Sequence, residues 1–183
     1  MVVHVFDTAK SILKRDPAAK SLMMVILTYP GLHALGYHRL SHWLHLQHHP
    51  LFAAIVARWS TKRTGITIAP GAQIGRRVFI DHGVGVVIGE TAVIEDDVTI
   101  LHGVTLGARG QTNGLRHPHV EPHSFIGAHA QLLGAITIGR HSKIGANAVV
   151  IKNVPIYTTA VGNPARLIQH ASFEKNPHTN DDI

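Results

Sequence analysis

The chain has no cysteine. That absence excludes a disulfide scaffold, a cysteine nucleophile and any thiolate metal site. Aromatic residues are scarce, 5 % of 183 positions, so a core has to be built from Ile, Val, Leu and Ala. Charge is scarce too: 15 % of residues are Asp, Glu, Lys or Arg, and the net charge is +6. The basic cluster RWSTKR (Arg58 to Arg63) lacks the interleaved aromatics of a single-strand binder, so no nucleic-acid partner is expected. A small polyanionic ligand suits the same modest charge better. The most apolar stretch, Leu22 to Leu46, is broken by Pro30-Gly31 and carries Arg39 and several histidines, so no membrane span is expected. The N-terminus MVVHVFDTAKSILKRDP lacks the basic start, apolar run and cleavage site of a signal peptide. The expectation is a soluble cytoplasmic protein. Glycine and proline are too few for collagen or a low-complexity linker, and a hydrophobic share of 45 % excludes a disordered chain.

What is present divides into two regions with different periods. Residues 1–64 read as a helical domain. Asp7 is a plausible N-cap for a helix to about Arg15, and Asp16-Pro17 restarts the chain with Asp at the cap and Pro in the first turn. After the break at Pro30-Gly31, Leu32, Leu35, Leu40, Trp43 and Leu44 recur at helical spacing on one face. Pro50 opens a last helix, which Gly65 ends.

From Ile66 the period becomes six. Positions 68, 74, 80, 86, 92, 98 and 104 hold Ile, Ile, Ile, Val, Ala, Val and Val, and positions 120, 126, 132, 138, 144 and 150 hold Val, Ile, Leu, Ile, Ile and Val. Such a repeat predicts a parallel β-helix over residues 65–155, three hexapeptides to a triangular coil, with one aliphatic per hexapeptide pointing inward. Gly75, Gly127, Gly139 and Gly145 follow that aliphatic, as a tight corner requires. Residues 156–183 form a C-terminal segment and a polar tail expected to be flexible. The step from 104 to 120 is out of register. The segment Gly107 to His119 is therefore read as a protruding loop, and an excursion from a regular scaffold is a place for function.

That loop carries Arg116 and His117, and the segment from Phe79 to Gly107 carries Asp81, His82 and His102. Without cysteine, a hydroxyl-transfer enzyme needs a base that titrates near neutrality, and histidine is the usual one. His82 follows an acid and stands at a hexapeptide corner, where side chains face outward.

The chain resembles serine O-acetyltransferase, the hexapeptide-repeat acyltransferase family that opens cysteine biosynthesis. The matching segments are RDPA (Arg15 to Ala18), GLHAL (Gly31 to Leu35), HRLSHWL (His38 to Leu44), IDHGVGVVIGETAVI, HGVTLG (His102 to Gly107), RHP (Arg116 to Pro118) and VGNPAR (Val161 to Arg166). The resemblance implies an α+β fold, with N-terminal helices before a left-handed coil. It implies transfer of acetyl from acetyl-CoA to L-serine, with no metal. By the same resemblance His82 is the general base and His117 a second active-site histidine. Arg116 grips the serine carboxylate, and Asp16 and Asp81 surround its ammonium group. Gly107, Ala128 and Lys143 line the CoA channel; Lys143 faces either a CoA phosphate or solvent.

The sequence also departs from the family pattern. The segment G-I-[DE]-I-H-P is GITIAP here, so Thr67 replaces the acid that orients the base and Ala69 replaces a histidine. The glycine pair after TL is Gly107-Ala108. The resemblance further implies a homotrimer with active sites between subunits, and leaves a hexamer open. It also implies capture of the C-terminal Ile183 by O-acetylserine sulfhydrylase, the cysteine synthase partner. Three other readings stay open: an acetyltransferase for another small hydroxyl or amine, a weakly catalytic partner-binding paralogue, and a γ-class carbonic anhydrase using His82, His102, His117, His119 and His123.

Overall fold

Across residues 2–110 and 114–169, which the computed structural model describes, four helices lead into a coil of short strands. The helices are α1 (Val2–Arg15), α2 (Leu22–Thr28), α3 (Pro30–Leu46) and α4 (Pro50–Thr64). Pro30 and Pro50 occupy first-turn positions, where the missing N–H would have had no partner. Gly65 closes α4 in the left-handed region, φ 71°. Two expected starts differ. α1 begins at Val2 and not at Asp7, because Val5 packs against the cluster of Ala9, Ile12 and Val25 and extends the helix. α2 begins at Leu22, capped by the Ser21 hydroxyl, which accepts from Met24 N at 3.2 Å. Asp16 is engaged elsewhere: its carboxylate accepts from Ala18 N at 2.8 Å and from the Tyr29 hydroxyl at 2.6 Å. On α3 the buried face is Gly31, Leu32, Ala34, Leu35, His38 and Ser41, while Leu40 and Trp43 are exposed. No helix among the described residues is long and apolar enough to cross a membrane.

The coil stacks parallel strands into three faces. Ile68, Ile88, Leu106, Leu132 and Val150 form the inward column of the first face. Ile74, Ile94, Val120 and Ile138 form the second. Ile80, Ile100, Ile126, Ile144 and Ala160 form the third. All are buried. An antiparallel pair, Thr158–Val161 with Arg166–Gln169, ends the described chain. The tail with Asp181, Asp182 and Ile183 lies outside the described residues.

The register corrects the reading of the six-residue ladder. Ile68 pairs with Ile88, two residues more than three hexapeptides. The chain therefore slips by two between Ile80 and Ile88. Val86, Ala92, Val98 and Val104 are not the inward strand residues but the corner residues two places earlier, and these are fully buried as well. Ile94 pairs with Val120, which leaves an eight-residue insertion in the next coil. Gly107 and His119 are strand residues, so the insertion leaves the coil between Ala108 and Pro118. The glycines also act differently from expectation. Gly127 keeps a negative φ, but a Cβ there would lie 2.7 Å from Ala146 N and Ile144 O of the next coil. What it supplies is close stacking. Apart from glycines, the left-handed corners of the coil are taken mostly by histidine, aspartate and asparagine, namely His82, Asp97, His123, His129, His141 and Asn147, with Arg77 and Tyr157 besides.

Two arginines tie the helices to the coil. Arg15 donates to Asp97 O and Thr99 Oγ1, each at 3.2 Å, and to Arg77 O. Arg39 donates to Ile74 O at 2.6 Å and to Gly75 O. Next to Arg39 on α3 is His38, 2 % exposed, with no hydrogen-bond partner for Nδ1 among the described residues. Burial pushes its pKa down to about 3, and the charges of His42 and Arg39 act in the same direction. Between pH 6.5 and about 3 the unfolded chain binds a proton that the folded chain refuses, so stability falls as pH falls. The expected slope from this residue is about 1.4 kcal/mol per pH unit. Thermal melts from pH 7 to pH 5 check it: His38→Leu should flatten the loss, and an unchanged slope would remove His38 as its source.

Candidate active site

The two excursions from the hexapeptide register carry the histidines of interest. The two-residue slip is the turn from Asp81 to Val86, at the corner between the third and first faces. It is closed by Gly83 N to Asp81 O at 2.6 Å and Val86 N to Gly83 O at 3.0 Å, and pinned to the end of α4 by Gly85 N to Gly65 O at 2.9 Å. Gly83 is required: φ is 68°, and a Cβ would lie 2.4 Å from Ile66 Cδ1. His82 projects from this turn with its side chain 80 % exposed. The Asp81 carboxylate stands 3.7 Å from His82 Nε2. The His102 ring lies edge-on, 6.4 Å between centroids, with His129 a further 5.0 Å along the same corner.

Asp16 arrives beside this turn from the segment after α1. The hydrogen bond to its carboxylate pushes the Tyr29 hydroxyl up to about 12, burial adds to this, and the charge of Asp81 acts on the same phenol. The corner thus sets Asp16 and Asp81 near Tyr29, with His82 beside Asp81. Thr67 lies on the adjoining first face with its hydroxyl 3.4 Å from that of Thr61. No carboxylate stands at that position to orient His82.

The second group lies at the corner between the first and second faces. Here the returning end of the insertion packs against Gly89, Glu90 and Thr91. Thr91 Oγ1 accepts from Arg116 N at 3.0 Å and from His117 N at 3.2 Å. His117 Nδ1 lies 2.9 Å from that hydroxyl and 3.1 Å from Thr91 N. Burial holds the His117 pKa below its ordinary value; Arg116 adds to the effect and Glu90 opposes it. Glu90 also approaches His45 of α3 at 4.0 Å. The Arg116 residue is exposed.

One chain therefore carries two groups of candidate side chains on different corners of the prism, His82 in one and His117 in the other. Gly107 sits at the end of a first-face strand, Ala128 at the corner of His129, and Lys143 exposed on the third face beside Phe125 and Thr159. Other histidines are engaged separately: His119 with Glu95 at 2.6 Å, and His123 stacked on His141 at 4.8 Å. Among the described residues no three His, Asp or Glu side chains are grouped to hold a metal ion. Sequence reasoning missed Tyr29, Gly89 and Thr91. For the last two, the VIGET string was the available signal.

A family model described as bacterial transferase hexapeptide (six repeats) matches residues 117–152. The serine acetyltransferase of Mycobacterium tuberculosis is 54 % identical over 85 % of this chain and 68 % of its own length. That of Helicobacter pylori is 52 % identical over 86 % of this chain and 92 % of its own. Among solved structures, a serine acetyltransferase in complex with cysteine superposes with a TM-score of 0.90 at 40 % identity, covering 92 % of this chain and 70 % of that one. The Brucella abortus enzyme with coenzyme A gives 0.89 at 43 % identity, over 92 % and 67 %. The soybean enzyme with serine gives 0.88 at 42 % identity, over 91 % and 68 %. With its helices, its coil of hexapeptides and these relatives over most of its length, the chain belongs to the serine acetyltransferase family.

Proposed function

We propose that the chain transfers the acetyl group of acetyl-CoA to the hydroxyl of L-serine, giving O-acetyl-L-serine and CoA, in clefts between the subunits of a homotrimer. The observation that carries this reading is the division of charge between the two half-sites. Asp16 and Asp81 offer carboxylates for an ammonium group beside an exposed imidazole. Arg116 offers a planar cation for a carboxylate, beside a second imidazole. A zwitterionic hydroxy amino acid needs both sets, and a neighbouring copy would bring one corner to the other. Relatives solved with serine and with coenzyme A support the same pair of substrates.

In this reading His82 takes the serine hydroxyl proton as the oxygen attacks the thioester carbonyl. The tetrahedral oxyanion is stabilised by the His117 N–H of the neighbouring subunit, and collapse expels the CoA thiolate, which recovers the proton from His82. Gly107, Ala128 and Lys143 border the CoA path. With Thr67 in place of an acid, Asp81 is the carboxylate left beside His82. Residues 1–64 act as a helical unit that supplies Asp16, residues 65–155 as the coil, and residues 156–183 as the C-terminal segment and tail. The enzyme then works in the cytoplasm at the first step of cysteine biosynthesis. Thiol release from acetyl-CoA tests the reaction: L-serine should support it, and homoserine and amino sugars should not. Release with an amino sugar and none with serine would refute the reading.

The terminal Ile183 is the proposed anchor for O-acetylserine sulfhydrylase. A carboxylate beside a single branched side chain is what a peptide-capture pocket takes. Calorimetric titration of that enzyme with the peptide NPHTNDDI should show binding that is lost when Ile183 is removed. Equal binding by both peptides, or none by either, would end the proposal.

A further inference from the structure

We infer that Thr91 and Gly89 are positioning residues that fix His117 as a neutral imidazole with its proton on Nε2. This deepens the reading above and rests on the role given there to His117. The inference follows from counting donors and acceptors at one hydroxyl. Thr91 Oγ1 accepts from two backbone N–H groups, Arg116 N at 3.0 Å and His117 N at 3.2 Å. A hydroxyl has two acceptor sites and one proton. With both acceptor sites filled, the proton is left for the remaining neighbour, His117 Nδ1 at 2.9 Å. Thr91 N–H points at the same nitrogen from 3.1 Å. Two donors converge on Nδ1, so Nδ1 presents its lone pair and the ring proton resides on Nε2. An imidazolium would set an N–H against both donors.

Gly89 completes the cradle. A Cβ at this position would lie 2.0 Å from both Cδ2 and Nε2 of the His117 ring. The ring thus lies across the bare glycine backbone, with Glu90 between the two cradle residues. The pattern Gly-Glu-Thr acquires a physical role: a gap for the ring, then a hydroxyl and an N–H for its Nδ1. The outcome is an Nε2–H donor of fixed direction, which is what an oxyanion partner must be before the reaction starts.

Long-range ¹H–¹⁵N spectra of uniformly labelled protein at pH 8 test this, with His117 assigned by comparison with His117→Gln. The expected result is an unprotonated Nδ1 and a protonated Nε2. A His117 found with its proton on Nδ1, or as an even mixture, would overturn the inference. Thr91→Val removes the hydroxyl and should lower the Nε2–H population, with acetyl transfer to serine falling about 10- to 100-fold. Thr91→Ser should restore both. A Thr91→Val spectrum identical to wild type would also overturn the inference. Gly89→Ala keeps the hydroxyl and displaces the ring, so it serves if the Val variant misfolds, and the same loss is expected. Spectra that change as stated with activity intact would uphold the positioning and instead refute the catalytic role of His117.

Discussion

Replacing His82 with asparagine should lower acetyl transfer to serine about 10²–10⁴-fold, the usual contribution of a positioned general base. Asparagine suits the test because His82 has φ 57°, a conformation that asparagine adopts at less cost than alanine. The imidazole is largely exposed, with Asp81 and the edge of His102 beside it, so its loss removes little packing. The melting temperature should therefore stay within a degree or two while activity collapses. A folded His82→Asn enzyme with more than half the wild-type rate would show that another group takes the hydroxyl proton.

The second large effect is on stability. Gly31 lies in the first turn of α3 against the backbone of the third face, and a Cβ there would lie 2.1 Å from Ile80 O and 2.9 Å from Ile80 Cβ. Neither atom is the free end of a side chain, so in Gly31→Ala the helix must lift from the coil. Overpacking of this kind costs about 3 kcal/mol, which for a chain of this size lowers the melting temperature by roughly 6–12 °C. Tyr29, which holds Asp16, is two residues before Gly31. The same substitution should therefore raise KM for serine more than KM for acetyl-CoA. An unchanged melting temperature would mean that the helix does not need this approach to dock.

The hexapeptide period was legible because each coil needs an inward aliphatic whatever surrounds it, and Ile100, Ile126 and Ile138 meet that need with no exposed surface. The two-residue slip at His82 was hidden for the same reason. Val86, Ala92, Val98 and Val104 are buried at corners, so a six-residue count passes from strand to corner without meeting a polar residue. The candidate site was legible as residue types: an exposed His after an acid, and Arg-His on an insertion. Its supports were not. Tyr29 reaches Asp16 across thirteen residues, and Thr91 reaches His117 across twenty-six. Nothing local marks a pairing that exists only once the helices have packed, for Tyr29, or the coil has closed, for Thr91. Asp16 read as a helix cap because its neighbours fit that role, yet the phenol of Tyr29 competes for its carboxylate and Ser21 caps the helix instead.

Mixing His82→Asn chains with His117→Gln chains, unfolding them and refolding them together, measures most directly whether the active site is assembled from two copies. Each variant alone should be nearly inactive. In randomly mixed trimers, three in four contain both chains, and each of those holds one cleft with an intact His82 facing an intact His117. Activity should return to about a quarter of the wild-type value. No recovery, with mixed trimers demonstrated by mass, would place both histidines in a site within one chain and contradict the account.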